Sequence, residues 1–399
     1  MQLLSATADA LAVEPLDVIA VAVVAVAVAA SSQKSQIFCK ELVMGADNLR
    51  PIIKEAIIMP GIFSLQWHIT NRCDQRCQHC YIFNSGKPLP KVEWNVSDAN
   101  VVLNDFVSFC QKYNRRPNIA ITGGDPLLNP NFWEIVEAIS KRNIPFVILG
   151  NPFHVDESTI KKLLRYGCYS YQMSLDGLKK THDMLRMPGS FDATIRSLQD
   201  IKKWGMKSVV MTTISKANWK ELPALTRLVA KIGVDIHAFA RYCPTHNDIE
   251  NNLSPQEYHQ LLEEMWGIYQ ELIETGAKTQ FNFKDHLWTV LLYEKGILEI
   301  ENDDVVYEGC HCGISHLTFL EDGTVYACRR MESPVGKVPE QSIEQIFFSK
   351  GMEKYRLIDK ITNCKDCKLK NYCRGCRAVA AGTSGGDYFA PDPQCWFNN

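Results

Sequence analysis

The chain has 399 residues with 43 Lys+Arg against 45 Asp+Glu, and a formal charge of −2 gives no global electrostatic reason to hold nucleic acid. Hydrophobic residues are 46% and charged residues 22%, a globular balance at a length that allows roughly one to three domains. Fifteen cysteines are out of proportion. An odd number in a large chain without a secretory signal argues against a disulfide scaffold and for metal or thiol chemistry in a cytoplasmic setting.

In chain order, Val18–Ala30 is an unbroken Val/Ala run preceded by Glu14 and Asp17. It is shorter than the roughly 20 residues that span a bilayer, and no basic residue leads it as in a signal peptide. Residues 1–62 are therefore expected to form a locally ordered segment packed on the domain, with no membrane attachment. From residue 63 the pattern is regular. Strands are predicted at Phe63–Thr70, Asn118–Gly123, Phe146–Asn151, Tyr169–Asp176, Lys207–Ile214 and Asp235–Tyr242. Helices are predicted between them at Ser97–Lys112, Asn131–Arg142, Asp156–Tyr166 and Phe191–Trp204, and from Asn218, with Glu221 closing a capping box, to Ile232. Strands alternating with helices mean βαβ units and a parallel sheet. Six units are too few for a closed eight-fold barrel. The fold class is therefore α/β, a partial (β/α)6 TIM-like barrel over 63–245.

A helical linker region, 246–308, follows, with a helix from Ser254-Pro255 to about Thr275. Residues 309–399 change style. A hairpin over His316–Arg330 turns at Glu321-Asp322-Gly323, Ser342–Leu357 reads as one helix, and the remainder is loop, Cys and Gly.

Cys73, Cys77 and Cys80 sit in the loop after the first strand. Three thiolates at this spacing can ligate three irons of a cubane and leave the fourth iron open to a small molecule. Zinc is the alternative, but structural zinc wants four ligands in paired spacings. With the tyrosine that follows, the segment CDQRCQHCY resembles the signature of the radical S-adenosylmethionine (radical SAM) enzymes.

That resemblance implies a 4Fe–4S cluster on Cys73, Cys77 and Cys80, with S-adenosylmethionine (SAM) on the open iron. It further implies an electron donor such as ferredoxin or flavodoxin, and cleavage of SAM to a 5′-deoxyadenosyl radical that takes hydrogen from a substrate. Gly123, Gly124, Asp125 and Pro126 stand where the family places a Gly-Gly-Glu-Pro segment against the methionine amino group, with Asp here in place of Glu. The glycines are expected to let backbone approach the ligand. Ser174 and Asp176 match a segment near the SAM ribose and methionine, Arg186 an arginine that pairs with the SAM carboxylate, and Tyr81 a contact to adenine.

The tail carries Cys312, Gly323 and Cys328, then Cys364-x2-Cys367-x5-Cys373-x2-Cys376, then Cys395. Paired CxxC steps in a small loop-rich module need metal to fold, and spacing alone leaves two zinc ions or two iron–sulfur clusters open. The order, with the closing RGCRAVAAGTSGGDYFAPDPQC, resembles the SPASM module of some radical SAM enzymes, although many members have one more residue between the last two cysteines of the central set. The resemblance implies a small C-terminal iron–sulfur domain. One auxiliary cluster would use Cys312, Cys328 and Cys376 with Cys310 as candidate fourth ligand, the other Cys364, Cys367, Cys373 and Cys395. Four thiols remain: Cys39, Cys110, Cys168 and Cys243. Cys110 and Cys168 are expected to be packed, and Cys243, ending the sixth strand on the side where SAM should lie, is a candidate catalytic or ligand thiol. The histidines form no metal-binding pattern.

The resemblance implies a peptide substrate and maturation of a ribosomally made peptide. The alternative is side-chain decarboxylation of a tetrapyrrole in haem synthesis. That substrate calls for clustered Arg/Lys to grip propionates, and of these only Arg241 at a strand end stands out in the sequence. A second alternative is a non-catalytic metal-binding scaffold. A further reading takes Val18–Ala30 as an imitation of a fused peptide substrate.

Overall fold

β1 (Gly61–Thr70) alternates apolar and polar side chains from Phe63, and from Leu65 onward both of its faces are buried. Phe63, Leu65, Trp67 and Ile69 enter the core with Val102, Leu103 and Phe106 of α1 (Val96–Lys112). Ser64, Gln66, His68 and Thr70 fall on the other face, where His68 reaches the Tyr81 hydroxyl at 3.4 Å. One face of the sheet is thus sealed by helices, and the other is a polar interior. The computed structural model describes residues 61–397 apart from 85, 87, 90, 91, 246, 247 and 301–305, so the Val18–Ala30 tract and Cys39 lie outside the described residues.

β2 (Arg115–Gly123), β3 (Phe146–Leu149), β4 (Cys168–Ser174), β5 (Lys207–Ile214) and β6 (Ile236–Arg241) follow β1 in a parallel series. Between them run α2 (Phe132–Ser140), α3 (Glu157–Arg165), α4 (Lys179–Leu185), α5 (Ser190–Lys203) and α6 (Leu222–Ile232). These are the expected units of a partial barrel. Two further parallel strands extend it: β7 (Gln280–Asn282) beside β6, and β8 (His316–Phe319) beside β1. The strand order is β10-β9-β8-β1-β2-β3-β4-β5-β6-β7, so the sheet stays open. β9 (Thr324–Tyr326) and β10 (Pro334–Lys337) complete it as antiparallel additions. One sheet therefore continues from the barrel into the cysteine-rich tail.

Three local expectations are corrected. Asn218 and Glu221 form no capping box. Asn218 accepts from Ser215 N at 2.8 Å and donates to the Asp176 and Thr213 carbonyls, while Glu221 accepts from Leu178 N and Thr181 Oγ1. Partners from the preceding βα loop outcompete the local cap. The capping box forms instead at Ser254 and Glu257, opening α7 (Pro255–Glu274) with Pro255 in its first turn. The single helix expected over 342–357 is divided into α9 (Ile343–Phe347) and α10 (Lys350–Glu353), with α8 (Trp288–Glu294) preceding them, because Ser349 turns its side chain onto Met352 N and starts a new helix. The segment expected to be loop contains α11 (Arg377–Thr383).

Two clamps hold the tail on the barrel. In the first, Phe347 of α9 packs 5.4 Å from Phe63 and 5.3 Å from Phe109 of α1, ring centre to ring centre. Glu344 accepts from Lys112 and from Tyr113, each at 2.7 Å. In the second, Arg241 at the end of β6 is fully buried. It donates to Asp285 at 2.8 Å, to both carboxylate oxygens of Asp392 at 2.7 and 2.9 Å, and to Gln394 at 3.0 Å. No helix among the described residues is long and apolar enough to cross a membrane.

Candidate metal centres

The loop after β1 carries Cys73, Cys77 and Cys80, and its shape is imposed from elsewhere in the chain. Gln75 Nε2 donates to Ser190 Oγ at 2.8 Å, and Gln78 is held by Leu185 O and Met184 O beside α4. Gly124 N and Asp125 N donate to Thr70 O and Arg72 O, the carbonyls at the base of the loop. A Cβ on Gly123 would stand 2.1 Å from Thr70 O, and one on Gly124 2.0 Å from Arg72 O. The two glycines therefore allow close packing of backbone on backbone. Gly123 also has φ +132°, a conformation that L side chains rarely adopt.

Asp125 is completely buried. One carboxylate oxygen accepts from Leu127 N at 3.0 Å, and the other is buried without a partner. Desolvation raises its pKa to about 6. An orphaned, buried carboxylate oxygen at the foot of the cysteine loop fits a cationic group such as the amino end of SAM. Asp74 and His154 lie close by, 2.8 Å from one another, and Asn151 Nδ2 bridges toward Asp74 and Cys73.

Asp176 follows β4 and is fully buried. It holds Arg186 Nε at 2.6 Å, His79 Nε2 at 3.1 Å and Thr213 N at 2.8 Å, and the cationic partners keep its carboxyl well below the usual range despite burial. Arg186 in turn lies 3.6 Å from Cys77 Sγ. The structure thus gathers Arg186, Asp176 and Cys77, and adds His79, which sits between Cys77 and Cys80 in the chain. His182 also went unrecognised: its Nδ1 accepts from Asp176 N at 3.0 Å. Ser174 closes β4, and Pro126 is buried at the start of a short 3-10 turn.

Tyr81 packs against His68, with the Arg329 guanidinium 5.7 Å from its ring centre. Its charged neighbours include Cys80 from the front loop and Cys328 from the tail, so it stands between two thiol sets. In the tail, Cys310, Cys312 and Cys328 form a hydrogen-bonded run centred on Cys312, and Cys376 lies near Cys328 with Arg330 Nη2 3.3 Å from its sulfur. Cys364, Cys367, Cys373 and Cys395 line a single cavity with Arg374 and Lys370. Arg377 lies beside Cys364. It donates to the Tyr388 and Ala390 carbonyls, yet its Nε and Nη2 are buried without partners. Orphaned guanidinium donors with Cys364 as a charged neighbour fit an anionic group bound there.

Every described cysteine is a free thiol. Burial raises the Cys73 thiol to about 11 and pushes the Cys373 thiol well above an exposed cysteine's range, so these two need a positive metal core to become thiolates. Zinc, with Zn–S bonds of about 2.3 Å, brings its sulfurs to roughly 3.8 Å of one another. Among the described residues no three cysteine sulfurs lie mutually within 4.8 Å; the group that meets this test is Asp74, Asp125 and His154. Cys110 and Cys168 are packed in the core as expected, and Cys243 contacts Cys376 instead of opening toward the front loop.

Comparison with known proteins bears on the same residues. The Radical SAM superfamily model matches residues 67–229, and the SPASM model, an iron–sulfur cluster-binding domain, matches 310–377. The chain is 26% identical over 345 residues to the AdoMet-dependent heme synthase of Methanosarcina barkeri, covering 83% of this chain and 95% of that protein. It is 24% identical over 342 residues to the mycofactocin maturase MftC of Mycobacterium tuberculosis, covering 83% and 82%. Among solved structures, SuiB of Streptococcus suis bound to S-adenosylmethionine shares the fold with TM-score 0.69 at 17% identity, over 86% of this chain and 80% of that one. The chain carries a Radical SAM domain and a C-terminal SPASM domain, which imply a 4Fe–4S cluster, SAM and auxiliary iron–sulfur clusters as its cofactors.

Proposed function

We propose that the chain abstracts hydrogen from a peptide and so matures a ribosomally made precursor, drawing electrons from a donor such as ferredoxin or flavodoxin in the cytoplasm. The bound cluster and SAM supply a 5′-deoxyadenosyl radical; the protein's residues supply position. On this reading Cys73, Cys77 and Cys80 hold the cluster. Arg186, fixed by Asp176, meets the SAM carboxylate, and the free oxygen of Asp125 meets its amino group.

The observation that carries the peptide reading is the open sheet. β7 ends it instead of pairing with β8, and the tail thiols stand across the interior from the front loop, with Tyr81 between. An extended chain can enter at such an edge and pair with it, as peptides do with terminal strands. The likeness to MftC and to SuiB bound to its precursor peptide SuiA supports this. The test is anaerobic incubation with SAM, reductant and short peptides encoded beside the gene. Peptide-stimulated release of 5′-deoxyadenosine with a SAM-dependent change of peptide mass is expected. Stimulation by an iron tetrapyrrole bearing propionates, and by no peptide, would overturn it.

Tetrapyrrole decarboxylation is favoured by a separate observation. Arg241, the one candidate in the sequence for gripping propionates, is wholly committed to Asp285 and Asp392. Lys284, just beyond β7, instead gathers with Arg329, Arg330 and His316. Lys284 forms no ion pair among the described residues, and burial with the two guanidiniums lowers its pKa to about 7. This basic lining and the likeness to heme synthases suit a carboxylate-bearing substrate. A non-catalytic scaffold would have no need of the buried Asp176–Arg186–His79 arrangement beside Cys77.

A further inference from the structure

Sequence order assigns up to four thiols to the first auxiliary cluster, but the structure gathers five. Cys310, Cys312 and Cys328 are linked through Cys312. Cys376 neighbours Cys328 on one side and is hydrogen-bonded to Cys243 on the other. A cubane with four irons accepts four thiolates, so one of the five is surplus.

Cys310 and Cys243 compete for the last position, and three observations separate them. First, Arg330 makes its principal charge contacts with Cys243, Cys376 and Cys328, whereas the cationic neighbour of Cys310 is Arg374, which also donates to the Cys310 carbonyl at 3.3 Å. Second, Cys243 is only 8% exposed and packs with Cys376, Ala378 and Val379 of the tail, while Cys310 is partly open to solvent. The one backbone contact of the Cys243 sulfur is a weak one, 3.9 Å to Arg241 O. Third, Cys243 stands two residues beyond Arg241, the last residue of β6, which is locked by Asp285, Asp392 and Gln394, whereas Cys310 lies in a loop after Gly309 at φ 102°. A ligand on a rigid element is held more closely than one on a loop.

We propose that Cys243 is the fourth thiolate ligand of the auxiliary cluster held by Cys312, Cys328 and Cys376, and that Cys310 is the thiol left over. The Cys243 proton leaves to solvent as the Fe–S bond forms, with no change of oxidation state. A barrel strand and the C-terminal domain are then joined through one metal group, and Arg330 faces its sulfurs as counter-charge.

The test is made on anaerobically purified holoprotein by iron and sulfide analysis and by electron paramagnetic resonance after reduction. Cys243→Ser is expected to lose about four of roughly twelve irons, or to keep them with altered g-values of one auxiliary signal. Cys310→Ser is expected to match the wild type in both. A Cys243→Ser protein with wild-type iron content and g-values would overturn the proposal. Should Cys243→Ser fail to fold, the intact wild-type holoprotein decides by alkylation and mass spectrometry. Labelling of Cys310 while the clusters are present supports the assignment; labelling of Cys310 only after iron is removed overturns it.

Discussion

The front loop and the tail hold thiols by different means. At the front, the guanidinium that reaches sulfur is itself held by a carboxylate: Asp176 holds Arg186 at 2.6 Å, and Arg186 stands 3.6 Å from Cys77 Sγ. His79 and Thr213 N bond the same carboxylate, and His182 accepts from the Asp176 backbone N. In the tail Arg330 stands 3.3 Å from Cys376 Sγ and Arg377 is a charged neighbour of Cys364, and neither guanidinium forms an ion pair with a carboxylate among the described residues. The difference follows from what each must bind. A site that admits a cosubstrate needs polar groups preorganised around an open position, and a site that holds only a closed cluster needs charge balance. Asp125, with its unpartnered oxygen, belongs to the first kind, and Arg377, with its unpartnered nitrogens, to the second.

Substitutions can break this contrast, and the largest effect is expected where the two regions meet. Arg241→Met leaves Asp285 and Asp392 buried without their cation. Breaking such a pair costs about 3–5 kcal/mol, read as a lowered thermal midpoint of the holoprotein. Next, Asp176→Asn removes the anchor of Arg186. SAM cleavage is expected to fall on the order of 10²-fold while iron content holds, because no cluster thiol is touched. If instead iron is lost from the front site, Asp176 supports the loop and not the cosubstrate.

The tail responds in potential and not in cleavage. Arg330→Met or Arg377→Met removes a cation worth about 1.5–3 kcal/mol to the more negative, reduced cluster. The matching auxiliary potential should fall by about 60–130 mV in a redox titration. The smallest effect is at the substrate. Lys284→Met is expected to raise KM about tenfold for a carboxylate-bearing substrate, close to 1.4 kcal/mol. The sign of the pH dependence follows from its lowered pKa: the ammonium is charged below about 7, so wild-type KM should rise as pH climbs through that value. The Met variant should lack this limb.

Contiguous features were legible in the sequence. The cysteine triplet, the six alternating strands and the proline-led α7 each depend on neighbours within a few residues. The glycines of Gly123-Gly124 were legible as a requirement, although their contact proved to be the Thr70 and Arg72 carbonyls. What was hidden depends on distant partners. β7 has three residues, too few to show a period, and exists because β6 pairs with it. His79 gains meaning only when Asp176 folds beneath it, and Glu221 abandoned its local cap for Leu178 and Thr181. Arg241 read as a free strand-end cation because both its acids, Asp285 and Asp392, come from outside the barrel units.

The central claim is that one front cluster cleaves SAM while the tail holds two separate ones. It is tested most directly by counting iron and sulfide in the anaerobic protein and measuring 5′-deoxyadenosine after reduction with SAM, in the wild type and in the triple variant Cys73→Ala, Cys77→Ala, Cys80→Ala. About twelve irons and nucleoside release are expected for the wild type, and roughly eight irons without release for the variant. Zinc in the tail, or a wild-type protein that fails to cleave SAM, would contradict the account.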